Sequence, residues 1–301
     1  MSALAYPVAL VAAAAFAIAI PLEHRAVASV PDDDGGLRPR QIGALVRATV
    51  RSRWWLTGMS LHTLGLGAHA LALNLGGLAV VQPLLVANLV FALPINRRLR
   101  KEQLKPVELG WAAVLVISLA GFLVLATAGV PTGTQAADRG PAVAAGALAG
   151  LLAVLFVLAA HRAGRSAAAT LLGVATGVLF AVTASLLKEC TGLLVQSPGR
   201  LLTGWQLYAL LVVGITGLLL NQLAYQAGPL SASLPAITVV NPLVAILLGV
   251  IVFDENLRHT APAILGEVVL LGMLALAAVN LSRLEQLPAA APAPAQARAQ
   301  T

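Results

Sequence analysis

Long apolar runs alternate with short polar breaks along most of the chain. Nine runs approach the ~20 residues that a bilayer crossing needs. They are Leu4–Pro21, Trp54–Leu75, Leu78–Ile95, Leu109–Gly129, Pro141–Ala160, Ala167–Leu187, Trp205–Ala227, Leu230–Phe253 and Ala263–Leu281. None alternates apolar and polar residues as a half-buried strand does, so each predicts a helix. The second run, with His62, His69 and Asn74, is the least apolar. The expected fold class is all-α, a polytopic membrane protein of about nine transmembrane helices.

Composition agrees with the pattern. Of 301 residues, 59% are apolar and 10% charged, whereas about 25% are charged in an average soluble domain. A soluble fold could not cover so much apolar surface with so few charges. The single cysteine, Cys190, excludes a disulfide framework and a CxxC metal or redox site.

Charge then sets orientation. The loops after the first, third, fifth and ninth spans hold Arg25, Arg38, Arg40, Arg47, Arg51, Arg53, Arg97, Arg98, Arg100, Lys101, Lys105, Arg162, Arg165, Arg283 and Arg298. The opposite side holds Arg139, Lys188, Arg200 and Arg258. The positive-inside rule places the N-terminus outside and the C-terminus in the cytoplasm of a multi-pass protein of the cell membrane. No Lys or Arg precedes the first span, so it does not read as a cleavable signal peptide. The net charge of +7 is accounted for by orientation, and no nucleic-acid partner is expected. Residues 24–53 read as a cytoplasmic loop with a short amphipathic segment on the inner leaflet. Residues 282–301 read as a disordered tail rich in Ala, Pro and Gln.

The strongest organisational signal is internal. An offset of 152 pairs Gly76 with Gly228, Leu78 with Leu230 and Pro83 with Pro235. One residue of slip pairs Asn88 with Asn241 and Glu102 with Glu255, and Pro106-x3-Gly110 matches Pro262-x3-Gly266. Spans two to four thus correspond to seven to nine. Five crossings separate the copies, which inverts one relative to the other. The expected organisation is an N-terminal repeat in residues 1–129 and a C-terminal one in residues 141–281. Inverted repeats with a midplane site between them are the architecture of many secondary transporters.

Proline interrupts the helical ladder. Pro83 and Pro94 lie in the third span, Pro235 and Pro242 in the eighth. Broken helices in matching positions point to a transport site, so Pro83, Pro235 and Pro242 are candidate hinges. Polar side chains in lipid face protein or water. His69, Gln82, Asn88, Asn221, Gln222 and Asn241 are therefore candidate pathway residues. The blander reading of each is interhelical hydrogen bonding. Glu267 joins the pathway set because it lies inside an apolar run, and His69 suits a proton-linked step. Gly146-x3-Gly150 and Gly173-x3-Gly177 read as close helix contacts, within the chain or in a homodimer. GxxxxGK[ST], HExxH and GxSxG are absent, so neither an ATP-driven motor nor an enzyme is expected, and no cofactor.

The stretch LSASLPAITVVNPLVAILLGVIVFDENL resembles the EamA-type repeat of the drug/metabolite transporter superfamily. Its small-residue stretch at Ser231–Ser233, mid-helix Pro242 and membrane-edge Glu255 carry that resemblance. The first half offers Glu102 at the edge, with Pro83 displaced. Nine spans, Trp54-Trp55-x2-Gly58 and Pro83-Leu84 are similar to the NIPA-like branch, associated with magnesium transport. The resemblance covers roughly residues 54–129 and 167–281. It implies a secondary transporter embedded in the lipid bilayer that moves a small solute or divalent cation by alternating access. Mg2+ prefers oxygen ligands, often carboxylate, and the spans offer few carboxylates, so substrate and any metal ligands stay open. The alternatives are a membrane scaffold or regulatory subunit that moves nothing, and a lipid-handling protein.

Overall fold

The computed structural model describes residues 2–28, 52–99, 101–127, 139–228, 230–255 and 261–286. Among these residues the structure is helical and contains no strand. The helices are α1 (Ala5–Ala28), α2 (Arg53–Leu75), α3 (Leu78–Leu85), α4 (Asn88–Leu99), α5 (Pro106–Thr127), α6 (Arg139–Ala160), α7 (Arg165–Gln196), α8 (Pro198–Thr203), α9 (Trp205–Ala227), α10 (Leu230–Phe253) and α11 (Ala261–Gln286). The amphipathic segment expected after the first span and the end of the tail lie outside the described residues.

Eight segments are long and apolar enough to cross a bilayer among the described residues, with α3 and α4 together forming one of them. The chain is a polytopic helical membrane protein. The expected second span is the helix α2, 23 residues long. It is missing from the eight, as its two histidines and Asn74 lower its apolarity. The sixth span runs further than the sequence implied. At 1.5 Å per residue, the 32 residues of α7 reach about 48 Å, well beyond a hydrocarbon core of about 30 Å.

The third span is broken. α3 ends at Leu85, and Val86 and Ala87 form tight turns before Asn88 opens α4. Pro83 has no amide hydrogen to give the preceding turn, which weakens the ladder just ahead of the break. The eighth span differs, since α10 runs unbroken through Pro235 and Pro242.

Packing falls into two sets. α1 lies along α2 and touches α3 and α4, while α7 lies along α9, α10 and α6. α5 packs on α11, and α3 packs on α10. The core is built from small and branched residues, among them Ala9, Ala13, Leu73, Val81, Leu84, Leu115, Ala245, Ala277 and Leu281. Small residues let helix backbones approach where no water drives association. Gly173 faces the Ser233 backbone and Gly177 faces Val240 and the Asn241 amide, so that motif packs α7 on α10.

Two contacts repeat the same wedge. A Cβ on Gly65 of α2 would stand 2.9 Å from the Phe16 ring of α1. A Cβ on Gly217 of α9 would stand 3.1 Å from the Phe180 ring of α7. In each case a ring on one helix fills the notch that a glycine leaves on the next.

Two helix ends also match. Lys101 (φ 56°) and Asp254 (φ 49°) are the non-glycine residues with left-handed backbone among those described. That conformation commonly ends a helix and lets the next amide bond back to the last carbonyls. Glu102 N donates to Arg97 O at 2.9 Å, and Glu255 N donates to Gly249 O at 3.0 Å.

Candidate functional site

Gln82 lies on α3, whose other side chains are nearly all apolar, and is only 2% exposed. A buried amide needs a partner, or burial costs roughly 1–3 kcal/mol. Its partner is His69 of α2, at 3.1 Å between Nε2 atoms. Two expected pathway residues are thus brought together. The seven-residue step that puts His62 and His69 on one helical face also has a packing purpose. Both rings meet Phe16 edge to face, with centroids 5.2 and 6.5 Å away. Gly65 between them admits the Phe16 ring.

The other expected residues are distributed more widely. Asn88 opens α4 directly after the break in the third span and is half-buried. Asn221 on α9 and Asn241 on α10 lie on two helices that both flank α7. The Oδ1 atoms of both asparagines are buried with no hydrogen-bond partner among the described residues. Ser233 Oγ on α10 is in the same condition. Gln222 is exposed, among the outward-facing Leu218, Leu219 and Leu223 of α9, and so does not join the interior set. Glu267 is buried within α11, at 5% exposure. Pro83, Pro235 and Pro242 are all buried.

Two charged clusters were not legible as clusters in the sequence. At one end of the bundle Arg97 of α4 is bonded by Glu102 and by Glu108 of α5. Glu108 also accepts the Lys105 amide at 3.0 Å, the reach-back of a capping box, with Pro106 in the first helical position. Sequence spacing could have found the Glu108 cap, but not its buried arginine.

At the other end, Glu255 follows the left-handed turn that closes α10. Its Oε1 accepts the Leu78 amide at 2.6 Å and its Oε2 accepts the Ala79 amide at 2.8 Å. These are the first amides of α3, which have no intrahelical partner. The Lys188 ammonium of α7 donates to the same Oε1. It also stands 4.3 Å from the centre of the Phe253 ring. A Cβ on Gly77 or Gly249 would come within 2.8 or 2.6 Å of Glu255 Oε2, so both glycines make room for the carboxylate. The Lys188 ammonium thus reaches a carboxylate 67 residues away in the chain.

Among the described residues, no three His, Cys, Asp or Glu side chains converge as a metal site. A protein of Corynebacterium glutamicum described as uncharacterized is 30% identical over 269 residues, which are 89% of this chain and 91% of that protein. No protein-family model matches the chain. No solved structure matches it.

Proposed function

The chain belongs to the same family as the uncharacterized Corynebacterium glutamicum protein, and for it we propose a secondary transporter of the drug/metabolite type that moves a small solute across the cell membrane by alternating access. The two halves are inverted repeats, and α2 is the ninth span. The observation that carries this reading is the pair of left-handed helix ends, Lys101 and Asp254, 153 residues apart and each followed by a glutamate. The slip of 153 that pairs Asn88 with Asn241 is the same one. The ring-and-glycine wedges support it, because Gly65 and Gly217 are 152 residues apart and each receives a ring from the preceding long helix. Antiparallel contacts of α5 on α11, with Gly121 against Leu270 and Gly266 against Leu125, fit halves that face each other upside down.

In this reading the broken third span supplies the bend, at Pro83 and Asn88. His69 and Gln82 line the path beside it, and Asn221 and Asn241 approach from the second half. Unpartnered amide oxygens accept hydrogen bonds. They suit a solute carrying N–H or O–H donors, or a divalent cation that keeps its water shell. The NIPA-like association with magnesium keeps Mg2+ in the panel.

The test is flux into liposomes holding the purified protein, with a panel of metabolites and Mg2+. Saturable movement of one solute, absent from empty vesicles, is expected. No flux for any member, from protein of verified fold, counts for a scaffold. Movement of labelled lipid between leaflets counts for the lipid-handling alternative.

A further inference from the structure

The cluster around Glu255 joins the proposed halves. Leu78 and Ala79 belong to the first, Lys188 and Glu255 to the second. Leu78 and Ala79 are buried, and little of either charged side chain is open: Lys188 is 7% exposed and the Glu255 side chain 9%. The Arg97 triad at the opposite end differs, because α4 and α5 both belong to the first half. Relative motion of the halves leaves that triad intact and must break the Glu255 cluster.

We propose that Glu255, held between Lys188 and the first amides of α3, is a gate latch: closed here, and released when this end of the bundle parts. This rests on the alternating-access reading. By the charge rule, the end concerned is the outer one. The energetics favour a latch over a permanent staple. A buried ion pair gives up hydration to form, so its net worth against the hydrated groups is small. When the ends separate, the carboxylate, the ammonium and the helix amides all regain water together. Closed and open forms then differ by little, as two interconverting states must. Removing one charge is different, because the remaining one is stranded in the closed form alone. Loss of either charge therefore drives this end open. The Gly77 and Gly249 notches give the carboxylate a single seat, so the closed state is specific.

The experiment measures distances between paired spin labels in the full-length protein, with Cys190→Ala as background. One pair, Leu4→Cys with Ile251→Cys, reports the latch end through two exposed positions. The other, Arg98→Cys with Arg283→Cys, reports the opposite end, also through exposed positions. Glu255→Gln is expected to add a longer-distance population at the latch end and none at the opposite end. Lys188→Gln is expected to do the same. Unchanged distances in both variants overturn the latch, as does lengthening at both ends. If neither variant yields folded protein, the cluster is a staple and the proposal falls. No substrate enters this measurement, so a latch that opens in a protein without flux overturns the transport reading and leaves the latch standing. Flux with unmoved distances does the reverse.

Discussion

Glu102 and Glu255 follow matching left-handed turns, yet they bond in opposite directions. Glu102 stays at home, on Arg97 of the helix it follows. Glu255 crosses to cap α3. The two ends of the bundle therefore have different mechanical characters.

The Arg97 triad is structural. Replacing Arg97 by Leu leaves Glu102 and Glu108 facing one another without their cation. Breaking a buried pair in this way costs about 3–5 kcal/mol. Thermal unfolding in detergent is expected to show a much lower midpoint for Arg97→Leu. Arg97→Lys is expected to recover only part of the loss, because one ammonium cannot fork between two carboxylates as a guanidinium does.

Gly65 and Gly217 are expected to be intolerant of added volume. Gly65→Val pushes into the Phe16 ring, and overpacking of this kind costs about 1–3 kcal/mol. Combining it with Phe16→Ala is expected to return part of the stability, read as coupling in a double-mutant cycle. The same cycle on Gly217 and Phe180 is expected to give coupling of the same sign. Additive effects at both sites would show that the rings and glycines do not touch.

Gln82→Leu strands His69 Nε2 beside an apolar side chain, at a cost of about 1–3 kcal/mol. His69→Leu alone leaves the Gln82 amide in the same position. The double replacement is expected to be more stable than either single one, since no polar group is then left unmatched. If a transported solute is identified, the double variant separates packing from transport, because it restores the first without restoring polar contacts to the second.

Gly249→Ala places a methyl 2.6 Å from Glu255 Oε2, too close for the carboxylate to keep its seat. The carboxylate has to move off the α3 amides. The expected result is faster hydrogen exchange at Leu78 and Ala79, with the Lys105 amide at the opposite end unchanged.

Much of the helical layout is readable from the chain because lipid asks for long unbroken apolar runs. The limits of α9 and α10 coincide with those expected, at Trp205–Ala227 and Leu230–Phe253. The errors have a common cause. The apolar run of the sixth span stops at Leu187, before Lys188 and Glu189, whereas a carboxylate 67 residues on keeps Lys188 inside the fold. Pro83 lies just ahead of a break in the third span, whereas Pro235 lies inside an unbroken eighth. A proline marks a missing bond, while neighbouring helices decide whether the ladder breaks. Of the site, His69 and Gln82 were legible as polar residues in an apolar setting. Their mutual bond was not, and neither was the shared purpose of His62 and His69 against Phe16. Glu255 was legible as the counterpart of Glu102 and as an acidic residue at a membrane edge, but not as the cap of α3 or the partner of Lys188.

The cap on α3 has a consequence for biogenesis. Leu78 leaves the ribosome 177 residues ahead of the carboxylate that completes it. At roughly 5–20 residues per second, the first amides of α3 wait on the order of ten to thirty seconds for their carboxylate. Throughout that interval the start of α3 is a helix end without its side-chain cap, and its exposed amides must find other acceptors.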